Sequence, residues 1–287
     1  MNSPINAGAA GTITLGGDLT VNRLGFGAMR ITGSGVWGNP PDISAAVRVL
    51  RRAVHLGVNF IDTADSYGPE VSETLLARAL YPYPSDLIIA TKGGLTRPGP
   101  GVWNRDGRPA HLRAACEASL KRLRLGRIDL YQLHAPDPQV PLEESVGELV
   151  RLRAEGKIRH IGVSNVTADE LRRCERLTPV VSVQNRFNLE DRKTDDVLSH
   201  CAAHGTAFLP WAPLGSGRHA TGEGSVRALA AIAGRHGVSA AQVAIAWLLH
   251  RAPVMLPIPG TASMVHLEEN IAAASVSLTA EDLRALS

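Results

Sequence analysis

Cysteine is scarce in this chain of 287 residues, and so are aromatic side chains. The three cysteines, Cys116, Cys174 and Cys201, make neither an even-numbered disulfide framework nor a zinc-ligand spacing. Reduced thiols and no metal are therefore expected. No apolar run reaches the ~18 residues that a membrane span needs. Nor is there a dense run of one charge. Thirty Lys and Arg face 27 Asp and Glu, a net charge of +3, which speaks against nucleic acid as the main partner. The nearest candidate, "LKRLRLGRID" at 120–129, reads as a helix end with a solvated face. The opening "MNSPINAGAAG" lacks a basic start and an apolar core, so it is not read as a signal peptide. Residues 1–11 are expected to be a flexible lead-in. These absences point to a cytoplasmic protein acting on small molecules, a monomer by default with an oligomer left open.

What is present is a repeat. "TITL-GGD-LTVNRLG" at 12–25 reads as a β-hairpin around Gly16 and Gly17. After it, a short apolar run and an amphipathic helix pattern alternate eight times. The runs are 23–29, 58–63, 87–92, 128–134, 159–164, 180–185, 207–211 and 254–259. The helix patterns are 42–56, 71–80, 110–123, 142–155, 167–176, 193–204, 239–251 and 262–273, with an extra helix near 225–236. Such alternation implies a parallel sheet, because each crossover returns the chain to the same end. Eight units in this length predict a (β/α)8 barrel with an N-terminal hairpin, as a single domain over 1–287. The rival, an open doubly wound sheet, calls for a G-x-G-x-x-G turn, and "GFGAMR" supplies only the first two glycines. Long Gly- and Pro-rich loops fall at 30–41, 93–109 and 212–224, all at C-terminal strand ends, where a barrel builds its site.

The same ends deliver polar residues. "NFIDTADSYG" supplies Asp62 and Tyr67, "ATK" supplies Lys92, "YQLH" supplies His134, and later strands supply Ser164, Asn165, Gln184, Asn185 and Trp211. Singly, each admits a plainer role: Asp62 a turn cap, Tyr67 a packed aromatic, Lys92 a solvated charge, His134 a core histidine. Together they form a proton-transfer group at one mouth. A Lys92 ammonium beside Tyr67 favours the phenolate, and Asp62 beside Lys92 holds the ammonium charged. His134 can donate to a carbonyl oxygen. A polarised carbonyl with a proton donor lacks only a hydride, which a nicotinamide cofactor supplies. Asp65 and Thr63 read as turn residues. Glu73, Glu117 and Glu144 read as exposed helix residues. Met29, Trp37 and Trp103 are candidates for a substrate pocket, with a loop-anchor role open for the two tryptophans.

"NFIDTADSYG", "ATKGG", "YQLHAPDP", "IGVSN", "VQNRFN" and "IPGTASMVHLEEN", in order over about 12–286, resemble the signature segments of the aldo-keto reductase family. The resemblance implies the (β/α)8 fold and NADPH-dependent reduction of an aldehyde or ketone. It also implies a tetrad of Tyr67 as general acid, Lys92 and Asp62 as its tuners, and His134 as the orienting donor. Ser164, Asn165 and Gln184 match residues that hold the nicotinamide carboxamide. Trp211 stands where the family usually has a stacking Tyr. Pro213, Leu214, Gly215 and Gly217 match the pyrophosphate stretch. Gly260, Thr261, Ser263, His266, Glu269 and Asn270 match the adenosine end. There the chain departs from the common pattern, with Gly260 where many members have Lys and His266 where they have Arg. NADPH is the expected cofactor and NADH stays open. "VNRLGFGAM" and "ALYPYPSDLIIATK" most resemble the bacterial pyridoxal reductase (pyridoxine 4-dehydrogenase) subgroup, which would make pyridoxal the substrate.

Two other readings stay open. Lys92 could serve as a Schiff-base nucleophile, which needs a neutral amine that Asp62 would oppose. The chain could also be a cofactor-binding regulatory or biosynthetic-pathway protein with a narrow substrate.

Overall fold

The first paired segments close one end of a barrel. In the computed structural model, which describes residues 5–215 and 227–286, strands β1 (Thr12–Leu15) and β2 (Leu19–Asn22) form an antiparallel hairpin. Gly16 and Gly17 make its turn with φ of 60° and 83°, a region that glycine enters without steric cost. Leu15, Leu19 and Val21 are buried against Phe60, Ile88 and Leu130, so the hairpin plugs the N-terminal end. The lead-in is more structured than expected over part of its length. Ala7–Ala10 form a 3-10 turn, and the buried Ala7 donates its N–H to Leu56 O at 2.8 Å.

Strands β3 (Phe26–Gly27), β4 (Phe60–Asp62) and β5 (Ile88–Gly93) open the parallel sheet. A small hairpin, β6 (Leu95–Thr96) with β7 (Asn104–Arg105), interrupts it. Then β8 (Ile128–Leu133), β9 (Ile158–Ser164), β10 (Ser182–Arg186) and β11 (Ala207–Trp211) follow in chain order. The eighth stave, expected at 254–259, is an extended segment with a single parallel bridge, Phe208↔Met255. Phe208 N donates to Val254 O and Leu256 N to Phe208 O, both at 2.9 Å; Gly25 N donates to Pro257 O at 2.9 Å. The segment thus joins the last strand to the first and closes the (β/α)8 barrel. Pro257 and Pro259 carry no N–H, which keeps the ladder this thin. The first stave is short as well: it pairs with β4 at Phe26 and Gly27, and the chain then turns through a 3-10 turn at Ala28–Ile31.

Helices α1 (Ile43–His55), α2 (Val71–Leu80), α3 (Pro109–Leu123), α4 (Leu142–Ala154), α5 (Ala168–Glu175) and α6 (Asp195–His204) return the chain between strands. After β11 come α7 (Arg227–His236), α8 (Ala240–Arg251), α9 (Met264–Ala272) and α10 (Ala280–Ala285). Their starts are written in side chains. Asp42 accepts from Ala45 N at 2.9 Å ahead of α1, and Thr167 with Glu170 makes a reciprocal capping box ahead of α5. Helix α1 buries Ala46, Val49, Leu50 and Ala53, a one-face spacing that places it against the sheet. Among the described residues no helix is long and apolar enough to cross a membrane.

The strand period positions the site. Side chains alternate, so every second residue faces the barrel axis. Phe60, Ile88, Ala90 and Leu130 fill the lower interior. One step further along each strand the inward residues become Asp62, Lys92, Gln132 and Gln184, all buried. Register aligns them: Lys92 lies opposite Gln132, and Ser164 opposite Gln184.

Candidate active site

Burying Lys92 is the costly choice on which the site is built. Its residue is 0% exposed, and an unpaired ammonium there would shed its proton. Three acceptors surround Nζ instead: Asp62 Oδ2 at 2.7 Å, Thr63 O at 2.9 Å and Tyr67 Oη at 3.3 Å. Burial pulls the ammonium's pKa down, but Asp62, with Tyr67, more than offsets this and holds it above the ordinary lysine value. A lysine held charged in this way is a poor Schiff-base nucleophile. Asp62 is itself fully engaged, since its Oδ1 accepts from Gln132 Nε2 at 3.1 Å and from Gln184 Nε2 at 2.8 Å.

Tyr67 is buried at the end of the loop after β4. Burial pushes its phenol above the usual value, and Lys92 is the largest influence pulling it back. The lowering expected from Lys92 is therefore present but outweighed. The phenol is protonated at neutral pH, the state a proton donor needs. The His134 ring stands edge-on to Tyr67, with centroids 5.8 Å apart. Burial, reinforced by the Lys92 charge, drives the imidazole pKa well below the ordinary histidine value, so the ring is neutral. Ser66 Oγ lies 3.4 Å from Nδ1. The tautomer in which Nδ1 accepts that contact carries its proton on Nε2.

A cleft of about 930 Å³ opens above these groups. Asp62, Tyr67, His134, Met29 and Trp103 line one part of it. Ser164, Asn165, Gln184, Trp211, Pro213 and Leu214 line the next, and Gly260, Thr261, His266, Glu269 and Asn270 the far part. Ser263 caps α9, accepting from His266 N at 3.4 Å. Gly215 sits in the left-handed region at φ 55°, just past the cleft-lining Leu214. Gly217 lies outside the described residues. Trp37 is not brought to the cleft wall. Its backbone bridges Gly68 and its ring faces Arg97, which makes it a loop anchor.

Asn165 sits in the left-handed region at φ 58°, a conformation asparagine tolerates better than most residues. Its Nδ2 donates to His134 O and Ser164 Oγ, both at 3.0 Å, and its Oδ1 accepts from Trp211 Nε1 at 2.9 Å. One amide thus fixes the indole against the strand that carries His134. Amide and hydroxyl groups beside a flat aromatic suit a nicotinamide ring with its carboxamide. The start of α9 offers free N–H groups suited to a phosphate. This donor set fits a nicotinamide dinucleotide.

Gly260 has a mechanical reason. A Cβ there would lie 2.2 Å from Gly27 O, across the seam where the eighth stave meets the first. The backbone approach that closes the barrel therefore excludes a lysine at 260.

Several residues fall outside the sequence expectations. Gln132 supports Asp62, and the signal was available: it is two residues before His134 on one strand, hence on the same face. Asn185 faces away from the cleft and clamps Val166 through both its N–H and its C=O. Glu73, expected to be exposed, is 0% exposed. It accepts from Thr91 Oγ1 and from Arg122 Nε, both at 2.6 Å, tying α2 to β5 and α3. Its helical position reads as solvent-facing only if nothing packs there, and α3 does. Asp65 and Thr63 are also more buried than turn residues usually are. Thr63 pairs with Ser72 Oγ at 2.8 Å, and burial raises the Asp65 carboxyl to about 8, with Glu73 adding to the shift.

A buried Tyr–Lys–Asp chain with a neutral histidine, at the C-terminal mouth of a (β/α)8 barrel, defines an oxidoreductase-type site. Comparison with known proteins agrees. Residues 23–287 match the model of the Aldo/keto reductase family. The chain is 51% identical over 280 residues to an uncharacterized oxidoreductase of Schizosaccharomyces pombe, covering 98% of this chain and 90% of that one. It is 39% identical over 285 residues to pyridoxine 4-dehydrogenase of Escherichia coli, covering 97% and 98%. An aldo/keto reductase from Klebsiella pneumoniae, solved in complex with NADP and acetate, superposes with a TM-score of 0.80 at 28% identity, covering 96% and 93%. The chain belongs to the aldo/keto reductase family.

Proposed function

We propose that this protein is an NADPH-dependent reductase of aldehydes or ketones, with pyridoxal, reduced to pyridoxine, as its substrate. One observation carries the reading: Lys92 Nζ joins Asp62 and Tyr67 in a buried chain beside a neutral His134. Ser164, Asn165, Gln184 and Trp211 would hold the nicotinamide end of the cofactor. Pro213, Leu214, Gly215 and Gly217 would follow the pyrophosphate. Thr261, Ser263, His266, Glu269 and Asn270 would hold the adenosine end, with Gly260 giving backbone access. When bound, reduced nicotinamide supplies hydride. The chain's own residues do the rest. His134 donates from Nε2 to orient the carbonyl oxygen, and Tyr67 Oη gives that oxygen its proton. Lys92 then steadies the phenolate left behind, and Asp62 keeps Lys92 charged for that task. The whole of 1–287 is read as one domain serving this site.

The likeness to pyridoxine 4-dehydrogenase supports the substrate, and the NADP-bound relative supports the cofactor. The test is consumption of NADPH and of NADH by the purified protein with pyridoxal and with a set of aromatic and aliphatic aldehydes. Turnover of pyridoxal above the other carbonyls, with NADPH preferred, is the expected result. Turnover of other aldehydes but not pyridoxal refutes the substrate and leaves the reductase. Tight dinucleotide binding with no turnover refutes the reductase and favours a regulatory role.

A further inference from the structure

Arg97 lies in the loop joining β6 to β7, outside the catalytic group, and it is 8% exposed. The pairs Leu95↔Arg105 and Thr96↔Asn104 end the hairpin. The next step of that register sets Arg97 against Trp103, a cross-strand pair on one face. The guanidinium carbon stands 3.5 Å from the centre of the Trp103 ring, and Trp37 lies on it from further off, at 5.6 Å. Its N–H groups are spent on backbone carbonyls of three loops. Nε donates to Val102 O at 2.9 Å, Nη1 to Val36 O at 3.0 Å and Ser66 O at 3.2 Å, and Nη2 to Gly35 O at 3.3 Å. Among the described residues no carboxylate pairs with it.

These contacts close a ring. Ser66, whose carbonyl Arg97 holds, is the residue before Tyr67. Trp103, on which Arg97 stacks, stands edge-on to the Tyr67 ring at 6.4 Å between centroids. One planar cation therefore sets the cleft wall that faces the phenol, while Tyr67 itself is held independently, its Oη accepting from Lys92 Nζ and its N–H donating to Ala64 O. Lysine offers no fork and no stacking plane for this task.

We propose that Arg97 is a positioning residue that locks Trp103 over Tyr67 and so sets the preference for planar, aromatic carbonyl substrates. The proposal rests on the reductase reading. A planar substrate lies against Trp103 when its carbonyl meets Tyr67 and His134. A short aliphatic aldehyde reaches those two groups without touching the indole. The dinucleotide part of the cleft, lined by Ser164, Gln184 and Trp211, makes none of the Arg97 contacts.

The test uses Arg97→Met, which keeps length and loses the fork, and Arg97→Lys, which keeps the charge and carries the experiment if the first variant fails to fold. Benzaldehyde and propionaldehyde are the probes, and NADPH affinity is measured separately. The expected result is a fall in kcat/KM for benzaldehyde of about ten- to a hundredfold, mainly through KM. Propionaldehyde should change by less than about threefold and NADPH affinity by less than about twofold. Equal falls for both aldehydes, or no fall for either, would overturn the proposal. Hydrogen exchange over residues 33–38, 66–68 and 99–104 reads the lock without turnover. If the wild-type protein reduces no aldehyde, the reductase reading has failed and the lock is judged on exchange alone. Faster exchange in those segments supports it, and unchanged exchange overturns it.

Discussion

Replacing Asp62 by Asn removes a charge and almost no volume, and the structure says what that costs. Lys92 Nζ sits 2.7 Å from Asp62 Oδ2, and the pair is excluded from water. Gln132 and Gln184 donate to the other oxygen, but their amides can turn over to meet a new partner. The ammonium cannot, so the penalty falls on Lys92. Breaking a buried pair from one side leaves an uncompensated charge and costs about 3–5 kcal/mol. In a chain of this size each kcal/mol moves Tm by about 2 °C, so a fall of about 6–10 °C is expected. Urea unfolding at pH 7 should show the loss in the midpoint with the slope unchanged. Lys92→Met in the Asp62→Asn background removes the stranded charge, so the double variant should be more stable than the two single losses predict, by about 2 kcal/mol. The slope of stability with pH should change as well. Lys92 has its folded pKa raised above 10.5, so it now contributes stability that is full below pH 10.5 and fades above. In Asp62→Asn that alkaline fade disappears. A loss under about 1 kcal/mol, or additivity within about 0.5 kcal/mol, would refute the claim that this pair is buried and mutually dependent.

Three further outcomes follow from other parts of the molecule. Asp65→Asn should gain stability over the wild type as pH rises from 3.8 to about 8, because the folded protein holds that proton while the unfolded chain loses it; denaturation at pH 5 and pH 8 compares the two. Glu73→Ala leaves Thr91 and Arg122 without their shared carboxylate and should cost about 3–5 kcal/mol, read by urea unfolding. Gly260→Ala drives a methyl group against Gly27 O and should cost about 1–3 kcal/mol and weaken NADPH binding, read by unfolding and by protein fluorescence.

The alternation of apolar runs and helix patterns made the barrel legible, because a parallel sheet demands a crossover helix at every step. The hairpin was legible from Gly16 and Gly17. The eighth stave was legible as a segment but not as so thin a ladder, since its prolines remove donors that no apolar pattern reports. Asp62, Lys92 and His134 could be found because each ends a strand. Gln132 went unread although the two-residue period pointed to it. Glu73 shows the limit of helical pattern: a carboxylate reads as solvent-facing until its partners, Thr91 and Arg122, are brought beside it by folding. Arg97 was illegible for the same reason. Its three loops are distant in sequence, and only their meeting gives the guanidinium its acceptors.

In the proposed mechanism Tyr67 gives its proton to the substrate oxygen. The direct test is Tyr67→Phe, with NADPH oxidation and NADPH affinity measured on the same preparation. The expected result is a fall in kcat of about 10²–10⁴-fold with NADPH still bound at near wild-type affinity. Turnover at the wild-type rate in Tyr67→Phe would contradict it, because the substrate oxygen would then be taking its proton from another donor.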